Sequence, residues 1–145
     1  MLEIRESAFG TPDFEACMAI RMRVFVDEQK VPADEERDAY DLTARHFLAL
    51  AEGAAAGTAR VIFPNGPELA KITRVAVLAP QRGSGIGAAL LRHIMHVIPT
   101  LCFTLDSQLH AMSFYETLGF TARGEVFYEA GMPHRVMSKT KLSES

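Results

Sequence analysis

The segment Gln81-Arg82-Gly83-Ser84-Gly85-Ile86-Gly87-Ala88 constrains this chain more than any other, because it joins an apolar strand-like run to an apolar helix-like run. Three glycines within five residues leave backbone amides bare, and a helix opens directly behind them. That arrangement suits a phosphate. Free N–H groups point outward, and the aligned peptide dipoles add roughly half a positive charge at the helix N-terminus. Arg82 supplies a full charge beside it. The loop predicts a phosphate-bearing cofactor.

The rest of the composition narrows the class. At 145 residues the chain reads as one domain, residues 1–145, of a size that buries about two thirds of its unfolded surface. It is 48% hydrophobic and 23% charged, the balance of a globular protein and not of a disordered one. A formal charge of −3 argues against a broad nucleic-acid surface. Cys17 and Cys102 sit inside apolar runs with no metal or redox spacing around them, which predicts reduced thiols, no bound metal and a cytoplasmic setting. His93 and His96 lie three apart on a helix without an evident third ligand and read as surface residues. No apolar run approaches membrane-spanning length, so no membrane partner is expected.

Along the chain, Leu2 to Ala8 reads as a first strand, and Thr11 with Pro12 starts a helix that runs to about Gln29. His46 to Ala51 and Thr58 to Phe63 read as strands joined by a Gly/Ala turn, followed by a strand from Leu69 to Leu78. A helix from Ile86 to Val97, a strand from Leu101 to Leu105 and a helix from Leu109 to Leu118 come next. Val126 to Tyr128 and Arg135 to Lys141 read as final strands. This order predicts an α/β (α+β) fold, one mixed sheet with helices on its faces.

The glycine loop admits competing chemistries. A nucleotide-triphosphate loop ends in Gly-Lys-Ser/Thr, whereas Ala88-Ala89 follow Gly87 here. A dinucleotide fingerprint fits Gly83-x-Gly85-x-x-Ala88, with Asp106 ending a later strand. Against it, Ala79-Pro80-Gln81-Arg82 separates strand from glycine, and too little chain remains for a second βαβ half. A plain flexible turn before a helix is the third reading.

Arg82-x-x-Gly85-x-Gly87, after Arg74-Val75-Ala76-Val77, resembles the acetyl-CoA signature of the GCN5-related N-acetyltransferases (GNAT). Phe114-Tyr115-Glu116-Thr117-Leu118-Gly119-Phe120 is similar to the later helix and turn of that family. Arg23-Val24-Phe25-Val26-Asp27-Glu28-Gln29, His46 and Pro133-His134-Arg135-Val136-Met137 resemble a bacterial subgroup, ElaA/YjcF-like. These segments cover most of the chain in the order of the family. The resemblance implies a mostly antiparallel sheet and direct acetyl transfer from acetyl-CoA to a primary amine on a small molecule or protein. It also implies that amides around Val75, Ala76 and Val77 pair with the pantetheine arm in a splay between two strands. Arg82, Gly83, Ser84, Gly85, Ile86, Gly87 and Ala88 would hold the pyrophosphate. One amide, that of Val75, would donate to the developing oxyanion. Gln108 stands where many relatives carry a cofactor-contacting Asn, and its extra methylene alters that contact.

Three side chains are candidates for chemistry. Tyr115 lies in an apolar stripe with Ala111, Phe114 and Leu118, which on spacing alone reads as core. The resemblance gives it the role of returning a proton to the coenzyme A thiolate. A phenol titrating near 10 passes a proton to a thiolate whose conjugate acid titrates near 8.5 at a cost of only ~2 kcal/mol. Glu28 and Arg21 fall two turns apart, roughly 10 Å along the axis, on the apolar stripe of the first helix. Charge on such a face must be paired, hydrogen-bonded or turned into a polar cleft. Glu28 therefore either enters the acceptor cleft or sits in solvent at a frayed end. His134 opens the last strand and is either a general base, as imidazole suits proton transfer near neutrality, or a structural residue at a turn. His46 is a further candidate base. Asp34, Glu35, Glu36, Asp38 and Asp41 crowd one loop, as solvated charge or as an acidic lip for a cationic amine.

The reading is thus an acetyl-CoA-dependent N-acyltransferase. A non-catalytic acyl-CoA sensor and a nicotinamide-binding protein are the alternatives. Exposed final strands allow a homodimer.

Overall fold

The computed structural model describes residues 1–141. Seven strands form one sheet: β1 (Leu2–Ser7), β2 (Arg45–Ala51), β3 (Ala54–Ile62), β4 (Leu69–Val77), β5 (Cys102–Gln108), β6 (Thr121–Glu129) and β7 (Met132–Thr140). Their spatial order is β1-β2-β3-β4-β5-β7-β6. Every neighbouring pair is antiparallel except β4 and β5, which run parallel. The expected mixed, mostly antiparallel sheet is what the chain forms.

Helices cover both faces. α1 (Pro12–Arg21) starts where the Thr11 side chain accepts a hydrogen bond from the Phe14 amide at 3.2 Å, with Pro12 in the first turn. It passes without a break into a π-helical stretch, Met22–Glu28. A short α2 (Ala33–Glu36) follows, then α3 (Ile86–Val97) and α4 (Met112–Thr117). Strand alternation divides the core. Phe47 and Ala49 of β2 face α3, where they join Leu90, Leu91, Ile94, Phe103 and Met137. Leu48 and Leu50 face α1 and meet Cys17, Ile20 and Val24.

Several boundaries differ from the sequence expectation. Ala54 to Ala56 belong to β3, and the turn is confined to Glu52 and Gly53, both at positive φ. β5 runs on to Gln108, so the helix behind it shortens to α4 after a single 3-10 turn. β6 spans nine residues, not three. It is an edge strand with mostly exposed side chains, so an apolar pattern marks only its middle.

Candidate active site

The parallel pair β4 and β5 is joined only at its start, where Leu69, Ala70 and Lys71 lie opposite Cys102, Phe103 and Thr104. Beyond that point the strands part. β5 stays paired on its other side with β7 as far as Gln108 and His134. β4 stays paired with β3. The sheet therefore opens into a wedge at its middle.

A bulge in β4 sits at this opening. Thr58 faces Ala76 and Arg60 faces Thr73, so Arg74 and Val75 together oppose Ala59 alone. Arg74 holds φ +56°, a left-handed conformation that costs a non-glycine residue about 1–2 kcal/mol. Downstream, the Leu78 amide donates to the Ala56 carbonyl on β3 at 2.9 Å. By alternation, the Ala76 N–H also turns to β3, while Val75 and Val77 turn their N–H groups to the wedge. Of the three consecutive residues expected to pair with a ligand, the outer two present that edge.

The glycine loop closes one end of the wedge. Gly83 and Gly85 take φ of +83° and +88°, which side chains rarely adopt, and no atom lies within 4 Å of a Cβ built on either. Gly85 is the N-cap of α3 and gives it no side-chain cap, so first-turn N–H groups are left for a ligand. Ser84 Oγ turns inward and donates to the Gln81 carbonyl. α3 approaches both α4 and the sheet closely here. A Cβ on Gly87 would lie 3.3 Å from Phe114 Cζ, and one on Gly57 3.0 Å from Ile86 Cγ2. Donor set and open edge together fit a pyrophosphate joined to an extended arm.

Arg82 and Glu28 meet at this end. Arg82 Nη2 donates to Glu28 Oε1 at 2.8 Å, and Arg82 Nε donates to the Val77 carbonyl at 2.8 Å. Glu28 does not line the cavity; of its two expected places it takes the solvent-exposed one, with Arg82 as its partner. The cause is the π-helical stretch, each turn of which takes more residues than an α turn and so rotates Glu28 off the face of Arg21. The helix itself does not fray before residue 28.

At the other end lies a cavity of about 550 Å³. Tyr115 lines it from α4, half-buried between Phe114 and Phe120, with ring centroids 5.0 and 6.1 Å away. Burial pushes its phenol up to about 12. His134 lines the cavity from the start of β7 and is only 8% exposed. Its Nδ1 lies 2.7 Å from the Met132 carbonyl, and its ring stacks on Phe127. Because a carbonyl only accepts, Nδ1 carries the proton in that bond, and the neutral ring keeps its lone pair on Nε2. Gln108 Nε2 donates to Gln29 Oε1 at 3.0 Å, while its carbonyl oxygen meets His110 Nε2.

The acidic loop divides: Asp34 and Glu35 are exposed and make no ion pair among the described residues, whereas Glu36, Asp38 and Asp41 are neither solvated charge nor a free lip. Arg21, 1% exposed, donates to Glu36 at 3.0 Å and to Asp41 at 2.7 Å. Arg60 Nη1 donates to Asp38 at 2.7 Å and to Asp41 at 2.9 Å. Arg74 Nε lies 2.7 Å from Glu36 Oε2, and its Nη2 donates to the Glu36 carbonyl and to Asp38. Burial works against the charge on Asp41, but the bonds from Arg21 and Arg60 outweigh it and hold the carboxyl down to about 2. The network pins the α1–β2 connection, and through Arg74 the bulge, in place. His46 lies outside the cavity. Its Nε2 is 2.9 Å from the Asp41 carbonyl, and burial lowers its pKa.

The structure also brings Gln29, Arg60, Lys71, Arg74, Asp106 and Glu129 to the cavity, and the sequence reading gave none of them a role at an acceptor site. Asp106, the acid of the dinucleotide alternative, pairs with Lys71 Nζ at 3.0 Å. A single signal pointed to this group: Arg74 directly precedes the Val75-Ala76-Val77 segment.

A splayed β4/β5 pair with a glycine loop at its mouth is matched by similarity to known proteins. Residues 11–141 match the family model described as an acetyltransferase (GNAT) domain. The chain belongs to the GNAT acetyltransferase family. It is 30% identical to protein ElaA of Escherichia coli (strain K12) over 144 residues, 94% of each chain. It is 31% identical to the N-acetyltransferase YjcF of Bacillus subtilis (strain 168) over 124 residues, 83% of this chain and 87% of that one. The crystal structure of Escherichia coli ElaA superposes with a TM-score of 0.83, covering 96% of this chain and 99% of that chain. An aminoglycoside 6'-N-acetyltransferase complexed with coenzyme A shares the fold, with a TM-score of 0.77 at 18% identity and 99% of each chain covered. Family and fold make this GNAT protein an acyl-CoA N-acyltransferase. Among the described residues, no helix is long and apolar enough to cross a membrane.

Proposed function

We propose that this chain moves an acetyl group from acetyl-CoA directly to a primary amine. One observation carries the reading: the wedge between β4 and β5 runs from a phosphate-suited loop to a cavity walled by Tyr115 and His134. Bound there, acetyl-CoA would supply an acyl carbon activated as its thioester.

The residues divide the work by position. Amides of residues 83–88 and the guanidinium of Arg82 take the pyrophosphate. Val75 and Val77 pair with the extended arm as a neighbouring strand would, and Ala76 fills the α1 side of the core beneath them. The Val75 N–H, aimed by the bulge at Arg74, donates where negative charge develops on the acyl oxygen. Gln108, oriented by Gln29 and His110, hydrogen-bonds the arm beside it. His134 Nε2 takes a proton from the incoming ammonium, and Nδ1 keeps its bond to Met132. Glu28 is the anchor of Arg82 and not a base.

Tyr115 returns the last proton. With its pKa at about 12 the phenol stays protonated at neutral pH, and the acid form is always at hand. Against a free thiol near 8.5 the transfer is uphill by about 5 kcal/mol, more than an unburied phenol would pay. The same desolvation raises the thiol, so that figure is a ceiling.

Cys17 and Cys102 are both unpaired, which fits a reducing, cytoplasmic setting. A homodimer would use the exposed β6 edge, where Val126 and Tyr128 stand 44% and 72% exposed. The test of function is thiol release from acetyl-CoA across an amine panel. A non-catalytic acyl-CoA sensor would bind acetyl-CoA and release none.

A further inference from the structure

We infer that the acceptor is an amine carrying at least one further cationic amino group, such as a linear diamine or triamine; this rests on the acyltransferase reading above. The argument begins with the charges around the cavity. Arg21, Arg60 and Arg74 are matched by Glu36, Asp38 and Asp41 in one network. Lys71 is matched by Asp106. Two carboxylates of the cavity wall are left over, Glu35 and Glu129, neither with an ion-pair partner among the described residues. They come from separate parts of the fold, Glu35 from α2 and Glu129 from the end of β6. With histidines counted neutral, the wall carries two uncompensated negative charges.

A second, independent observation places the reacting amine. His134 is 8% exposed and has its Nδ1 committed to Met132, while its Nε2 has no hydrogen-bond partner among the described residues. An amine that gives its proton to Nε2 approaches neutral and no longer needs a carboxylate. A monoamine would leave Glu35 and Glu129 without a partner at the moment of reaction. A second ammonium on the same acceptor stays charged and meets them at the rim, whereas an anionic acceptor is repelled.

The test uses the full chain saturated with coenzyme A, titrated by calorimetry with spermidine, 1-aminobutane and glutamate. Spermidine is expected to bind tightest, and added salt to weaken it selectively. Glu35→Gln and Glu129→Gln are each expected to weaken spermidine about five-fold, the scale of one partly exposed ion pair, and the double variant about twenty-five-fold. The ratio of spermidine to 1-aminobutane kcat/KM falls in parallel. Both side chains are exposed, and thermal melts matching wild type confirm that the variants fold. Equal binding of spermidine and 1-aminobutane, or a double variant that keeps the wild-type preference, overturns the inference. Preferred spermidine binding without thiol release from acetyl-CoA would uphold the cavity chemistry and reject the acyltransferase reading.

Discussion

Glu28 and Arg82, 54 positions apart, form an ion pair of 2.8 Å that ties the end of the π-helical stretch to the glycine loop. The same guanidinium holds the Val77 carbonyl on the open edge of β4. Arg82 thus stands where loop and wedge meet, held from both sides.

This pair separates two roles for Glu28. Arg82→Ala is expected to weaken coenzyme A binding about ten-fold without unfolding the protein, the scale of one charge-assisted phosphate contact. Glu28→Gln should shift that affinity by less than about five-fold, because the pair is partly exposed, and leave kcat near wild type. Calorimetry with steady-state kinetics checks both. A Glu28→Gln protein that binds coenzyme A normally but turns over a hundred-fold more slowly would return Glu28 to the chemistry.

Tyr115→Phe keeps the ring packing against Phe114 and Phe120 and removes only the hydroxyl. The expected result is a loss in kcat of about 10²-fold with unchanged coenzyme A affinity. Because burial holds the phenol protonated up to about 12, the pH profile of kcat should show no alkaline limb near 10 that the Phe variant abolishes. Such a limb would show that the hydroxyl titrates as an exposed phenol.

His134→Gln should lower kcat/KM for the acceptor about 10²-fold, with the loss smallest at high pH, where the amine sheds its proton unaided. The pH profiles of the two proteins measure it. Equal profiles would leave His134 with a structural role against Phe127 and Met132.

The buried network sets an acid limit on stability. Asp41 titrates near 3.8 when unfolded and at about 2 when folded, so it stabilises the fold above the higher value. That contribution, about 2 kcal/mol, is lost as pH falls from near 4 through 2. Urea unfolding over this window checks the sign. Asp41→Asn should remove the share of the acid dependence that Asp41 carries, leaving that of Asp38 and Glu6, and cost about 3–5 kcal/mol at neutral pH, since it strips a partner from a 1% exposed Arg21.

How much of this was legible in the chain follows from range. The Thr11–Pro12 start of α1, the glycine loop and the span of α3 from Ile86 to Val97 are local patterns, and they stand where the residues put them. The parting of β4 from β5 rests on partners about thirty residues apart in sequence, which no local pattern encodes. The position of Arg21 on an apolar face requires pairing, hydrogen bonding or a polar cleft, but its partners Glu36 and Asp41 lie beyond a turn, in a loop whose local sequence shows only a run of charge. α-Helical spacing puts Glu28 on the face of Arg21, and the change of helical pitch over Met22–Glu28 moves it off that face. β6 hid because its side chains are mostly solvent-exposed and leave little apolar alternation to read.

Acetyl-CoA thiol release, measured with and without a primary amine and in wild type beside Tyr115→Phe, tests the central claim most directly. The account predicts amine-dependent release, an acetylated amine detected by mass spectrometry, and a loss of about 10²-fold in the variant. Tight acetyl-CoA binding with release no faster in the presence of any amine, in either protein, would contradict it.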